Sequence, residues 1–175
     1  LLQDNAQVYL EMSDNKERST AYDLVVVDKG GRLVNMDSNA PNKVVGEWLA
    51  GGGLYEDVSL VRPETTFGHS RFDFYAESIS GRKAFIEVKG VTLENDDVAA
   101  FPDAPSERAV KHVEELIEAR RQGYEAYLLF VIQMKGIRYM EPNWDTQPAF
   151  GQVLQRARNA GVRILAYDCI VGEDY

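Results

Sequence analysis

The sequence predicts an α/β protein with a mixed central sheet flanked by helices, and three observations carry that reading. A short helical stretch is followed by three strand-like segments, a long amphipathic helix, an apolar strand, a further helix and a last strand. The run Tyr127 to Ile132 is continuously apolar, as a central strand covered on both faces requires. Two alternating segments, Arg71 to Glu77 and Arg82 to Val88, flank the turn-forming stretch Ser78-Ile79-Ser80-Gly81 and read as a hairpin.

Taken in order, Ala6 to Leu10 reads as a strand, with a polar loop through Ser13-Asp14-Asn15-Lys16 after it. Tyr22 to Val27 and Arg32 to Asn35 form a hairpin about Asp28-Lys29-Gly30-Gly31, whose glycines tolerate positive φ. These strands are expected to end a small barrel or to cover the core. The polar stretch Asp37-Ser38-Asn39-Ala40-Pro41-Asn42 is the best boundary signal. Lys43 to Ala50 is a short helix with Val44, Val45, Trp48 and Leu49 as its apolar stripe, and Gly51-Gly52-Gly53 stops it. Strands are predicted over Tyr55 to Val61, Arg71 to Glu77 and Arg82 to Val88. A long helix runs from an N-cap at Ser106 to Gly123, with Val110, Val113, Leu116, Ile117 and Ala119 at helical spacing. Pro148 to Ala160 gives another helix and Arg163 to Tyr167 the last strand.

The hairpin carries the chemistry. Alternation puts Phe72, Phe74, Ala84, Ile86 and Val88 on an apolar side and Arg71, Asp73, Glu87 and Lys89 on the other. With the turn centred on Ser80, Asp73 lies directly across from Glu87. Opposed like charges destabilise an antiparallel pair, so something must reconcile them, and a divalent cation is the economical candidate. Mg2+ takes oxygen ligands, one or two of them carboxylates, together with waters and substrate phosphates. Asp73 and Glu87 would hold the ion, and Lys89 would orient a water or stabilise developing charge. The D…ExK spacing alone recurs by chance, and a solvated strand face with its acids paired to Lys89 or Arg71 explains it equally.

From Ser70 the chain reads SRFDF, IEVKGVTL, FPDAPSERAVKH and LLFVIQ, with a late GVRILAYDC. In this order and spacing it resembles the sugar fermentation stimulation protein family, from roughly Leu10 to Cys169. The resemblance implies a PD-(D/E)xK (restriction-endonuclease-like) core with an N-terminal OB-like β-barrel, a nuclease-like site at Asp73, Glu87 and Lys89, and nucleic acid as partner. It divides the chain into residues 1–37, a β-rich remnant of the barrel, and residues 38–175, the nuclease-like domain. The helix–strand order agrees with such a core. Because the chain starts with Leu and enters strand-like sequence at once, most of the barrel is expected to be missing. Gly90 stands where the family usually has Asn, and Ala109 where Gly is common.

Composition bounds these readings. One hundred and seventy-five residues with 45% hydrophobic content suit one domain with a sizeable core, or one domain and a small appendage. A formal net charge of -9 argues against a broad electrostatic grip on DNA. The basic residues Arg108, Lys111, Arg120, Arg121, Lys135 and Arg138 nevertheless gather in one stretch. Cys169 is the single cysteine, which excludes an intrachain disulfide and a cysteine-cluster zinc site. No run approaches the roughly 20 apolar residues of a membrane span and Leu1-Leu2-Gln3-Asp4 is no signal peptide, so the cytoplasm is the expected location and no membrane is a partner.

Further candidates surround the hairpin. Glu47, on the polar side of the first helix, is where the resemblance places a third metal-binding glutamate; the ordinary reading is an exposed helix residue. Asn42 is expected as an N-cap or turn residue. Arg108, Lys111 and His112 share a face of the long helix near its N-terminus, where free amides favour anions, and with Arg71 and Gln133 they are the expected nucleic-acid contacts. Gln133 could equally cap its strand. His69 reads as a loop residue, and Trp144 as a loop residue with a smaller claim to base stacking.

The leading expectation is a Mg2+- or Mn2+-dependent nuclease, with DNA ahead of RNA as substrate and homodimer formation left open. The rival is a DNA-binding transcriptional regulator of sugar (maltose) metabolism whose core is scaffold alone. A hydrolase of another phosphate ester is the third class.

Overall fold

The structure, a computed structural model, describes residues 4–13 and 17–172, so Asp14-Asn15-Lys16 of the expected polar loop and the first three residues lie outside the described residues. The N-terminal strands β1 (Val8–Met12), β2 (Tyr22–Asp28) and β3 (Leu33–Asn35) pair antiparallel in an open three-stranded sheet. Among the described residues no strands close into a barrel.

Helix α1 (Ala40–Ala50) starts three residues earlier than the periodicity suggests, because Pro41 sits in its first turn, where a missing N–H costs nothing. Strands β4 (Val58–Phe67), β5 (Ser70–Ser78) and β6 (Lys83–Val91) then run as an antiparallel meander. β4 is longer than expected and contains Pro63, which is tolerated because β4 is an edge strand. The short strands β7 (Glu94–Asn95), β8 (Val98–Phe101) and β10 (Tyr139–Pro142) form a small separate sheet that periodicity did not predict.

Helix α2 (Glu107–Arg121) begins where the sequence places it. The Ser106 hydroxyl accepts from Ala109 N at 3.1 Å, a cap of about 1 kcal/mol, and Arg120 and Arg121 close the helix at its negative end. Strand β9 (Glu125–Ile132) pairs parallel with β6, and after α3 (Pro148–Asn159) strand β11 (Arg163–Asp168) pairs parallel with β9. The main sheet therefore has the order β11-β9-β6-β5-β4, parallel on one side and antiparallel on the other, with α2 and α3 as crossovers.

Both faces of this sheet are buried. Leu128, Phe130 and Ile132 of β9 pack with Leu116 of α2 and Phe150 of α3, while Tyr127, Leu129 and Val131 pack with Val45 and Leu49 of α1. No helix among the described residues is long and apolar enough to cross a membrane.

Candidate active site

The β5–β6 register runs through Phe74↔Ile86, Tyr75↔Phe85, Ala76↔Ala84 and Glu77↔Lys83, symmetric about Ser80. The paired register ends at Phe74↔Ile86, and beyond it the Asp73 carboxylate meets Val88 N of β6. The division into one apolar and one polar face is corrected. Phe72 packs with Phe67 and Phe85 on the α2 side, whereas Phe74, two residues on, packs with Ile86 on the α1 side. Alternation therefore breaks at Asp73, where the β4 ladder skips the pair opposite Glu64 and Glu64 itself has φ 51°. The Asp73 carboxylate bridges two elements: Oδ1 accepts from Asn42 Nδ2 of α1 at 3.0 Å, and Oδ2 accepts from Val88 N of β6 at 2.7 Å. Asn42 is thus neither cap nor turn; it lies within α1, whose N-cap position is Asn39.

Glu87 points to the other side of β6, beneath α2, and is 2% exposed. Its Oε1 accepts from Lys89 Nζ at 2.7 Å and pairs with Nδ1 of His112. Among the described residues, Oε2 is buried without a hydrogen-bond partner. A buried acceptor left unpaired costs about 1–3 kcal/mol, so the arrangement calls for an explanation. Burial pushes the Glu87 carboxyl up, but the His112 hydrogen bond and the Lys89 charge together outweigh it and hold it below the usual carboxylate range. Asp73 goes the other way: burial first, then the charge of Glu87, raise it, against the Val88 and Asn42 hydrogen bonds. Asp73 and Glu87 bring carboxylate oxygens of the kind that a hard cation such as Mg2+ or Mn2+ would take. Among the described residues no three His, Cys, Asp or Glu side chains gather in a way that would hold a metal.

The other expected contacts separate. Glu47 is exposed on α1 and forms no three-ligand group with Asp73 and Glu87. Arg71 is exposed and meets Glu64 at 3.3 Å. Arg108 is exposed in the first turn of α2, and its Nε comes within 3.5 Å of His112 Nε2. Lys111 is exposed and lines a groove with His69, Glu115 and Glu118. His112 is corrected: it is 7% exposed, closed off from phosphate, and bound to Glu87. The signal was available, since Ala109, His112, Val113 and Leu116 share the buried face of α2 at helical spacing.

Gln133 is also corrected. It is buried, its Nε2 donating to Asn35 O, Asn35 Oδ1 and Asp37 O at 3.1, 2.9 and 3.1 Å. A Cβ at Gly90 would collide with Gln133 Oε1 and press on Pro41, so glycine here leaves room for the Gln133 amide. Trp144 lies over Gly151 of α3, where it leaves no space for a side chain, and its ring remains partly exposed.

Fold and centre together define a mixed α/β protein whose acidic pair joins strands β5 and β6 to α1 through Asp73 and to α2 through Glu87. The chain belongs to the sugar fermentation stimulation protein family: the model of the family's "sugar fermentation stimulation protein RE domain" matches residues 39–175. It is 52% identical to a sugar fermentation stimulation protein homolog of Clostridium beijerinckii over 174 residues, 99% of this chain and 76% of that protein. A homolog from Desulfitobacterium hafniense is 53% identical over 174 residues, again 99% of this chain and 75% of its own length. The structure of Pyrococcus furiosus SfsA in complex with Ca2+ superposes with a TM-score of 0.83 at 26% identity, covering 92% of this chain and 69% of that one.

Proposed function

We propose that the chain is a nuclease of the PD-(D/E)xK type that hydrolyses phosphodiester bonds in nucleic acid, DNA ahead of RNA, using Mg2+ or Mn2+. The observation that carries this reading is Glu87: a buried carboxylate beside Asp73 with Lys89 and His112 on one oxygen and the other left open. The Pyrococcus relative in complex with Ca2+ supports it, since Ca2+ and Mg2+ both take oxygen ligands. In this reading residues 38–175 are the catalytic domain and the β-rich residues 1–37 an accessory segment.

Asp73 and Glu87 would hold the metal, which would supply Lewis-acid charge and a more acidic water. Asn42 and Val88 N fix the Asp73 carboxylate. Lys89 brings a cation to the site, where it steadies Glu87 and offsets negative charge that develops on the phosphate. Arg108 and Lys111, exposed near the start of α2, contact the phosphate backbone. With a net charge of -9 the grip on nucleic acid is local rather than spread over the surface.

The test is a cleavage assay on single- and double-stranded DNA and on RNA with Mg2+ or Mn2+. Wild type cleaves only with metal, and Asp73→Asn and Glu87→Gln each abolish it. Cleavage that survives both substitutions overturns the site. DNA binding by wild type with no metal-dependent cleavage would favour a non-catalytic regulator instead.

A further inference from the structure

We infer that His112 is a positioning residue of this site: it pins Glu87 by a single oxygen so that the other stays presented to the cation, and Arg108 sets the ring for that task. The inference rests on the metal-site reading and adds to it the part that α2 plays.

The Glu87 carboxylate is held from one side only and its other oxygen is buried. Two donors from different elements, Lys89 Nζ of β6 and the His112 ring of α2, converge on Oε1 alone. The protein treats its structural carboxylates differently. Glu125 receives Arg82 Nε on one oxygen and both Arg82 Nη2 and the Tyr127 hydroxyl on the other. Glu94 receives Asp97 N and Arg32 on one oxygen and Lys29 on the other. In these two both oxygens are used, and where one oxygen alone is bonded, as in the exposed Glu114 or the half-buried Glu77, the other is not buried without a partner. At Glu87 one is held doubly and one not at all.

Both ring nitrogens face partners within the protein. Nδ1 faces Glu87, and Nε2 faces the Arg108 guanidinium at 3.5 Å. A guanidinium has only donors, so the Nε2 it faces must be the acceptor. The neutral tautomer then carries its proton on Nδ1 and donates to Glu87, an assignment made from the network. Around the ring stand Ala109, Val113 and Leu116 of the same helix and Phe72, whose ring meets it edge-on at 6.4 Å. A histidine placed in this apolar layer has no packing advantage over leucine, whereas groups that orient a metal ligand typically change metal affinity by about 10–100-fold.

The experiment titrates Mn2+, followed by electron paramagnetic resonance without nucleic acid, into the full chain and its variants, with folding checked by circular dichroism. Wild type binds one Mn2+ and Asp73→Asn does not. His112→Leu, which fills the volume without the donor, weakens Mn2+ binding by about 10–100-fold. His112→Asn, whose amide nitrogen can stand in for Nδ1, recovers most of the affinity, which a merely space-filling histidine would not require. Arg108→Leu weakens it severalfold although no phosphate is present, and this variant with His112→Asn decides the matter should His112→Leu fail to fold. Wild-type affinity in His112→Leu, or in Arg108→Leu should it have to decide, overturns the inference alone if Asp73→Asn has lost the ion. A wild type without Mn2+, or an Asp73→Asn that binds as wild type does, overturns the metal site and the inference together.

Discussion

Glu87 and Glu125 sit on the paired strands β6 and β9, each bonded to one basic side chain, Lys89 or Arg82, and they are built to opposite ends. Glu125 takes the Arg82 fork at 2.8 and 3.0 Å and the Tyr127 hydroxyl at 2.6 Å, while Arg82 lies over the Tyr55 ring and Arg163 over that of Tyr127. Burial pushes the Glu125 carboxyl up, but these partners win and hold it at about 2. Glu87 is more deeply buried, with one oxygen doubly held and the other bare. The contrast teaches that a charged cluster in a sheet says little by itself. What separates a joint from a site is whether the donors and acceptors close on one another.

The comparison can be broken by experiment, and the largest effect is expected from exchanging the two glutamates in turn. Glu87→Gln should lower metal-dependent cleavage by at least about a thousandfold, whereas Glu125→Gln should leave it within about twofold at 25 °C. Equal losses in a single-turnover assay would erase the distinction. Next in size is stability. Arg82→Ala strands a partly buried Glu125 and should cost about 1–3 kcal/mol in urea unfolding, discounted because Arg82 is 43% exposed, with Mn2+ affinity unchanged.

A pH scan sharpens the same point. The Glu125 carboxyl is lower in the folded chain than its ordinary value of 4.5, so its contribution is present above that value and fades as pH falls towards about 2. The melting-temperature gap between wild type and Glu125→Gln should therefore be widest near neutrality and shrink below about pH 4.5. A gap that widens on acidification would reverse the assignment. The smallest effect is expected at Glu47, exposed on α1: Glu47→Gln should change Mn2+ affinity by less than about threefold. A larger loss by calorimetry would bring α1 into the metal shell.

Much of this was legible in the sequence. Turn position alone set the hairpin register, because strand pairing has a period of two and one turn centre fixes every partner. The apolar run in β9 announced a strand covered on both faces, and Ser106 announced the start of α2. The pattern failed where tertiary contacts override alternation. Nothing local to Phe72-Asp73-Phe74 reveals that the face changes between the two phenylalanines, where the facing Glu64 has φ 51° and drops out of the ladder. His112 was assigned to the surface from the charged neighbours Arg108 and Lys111, although its place among Ala109, Val113 and Leu116 marked it as buried. The strands β7, β8 and β10 are too short to show a period.

Gln133 deserves a last consideration, as a mechanical element. Its amide clasps Asn35 and Asp37, its carbonyl accepts from Asn35 N at 2.8 Å, and its side-chain oxygen rests on Gly90, the neighbour of Lys89. The chain between β3 and α1 is thereby bolted to the end of β9, one step from the reactive strand. The N-terminal sheet is thus tied to the main sheet by side-chain and main-chain hydrogen bonds as well as by the chain that leads into α1.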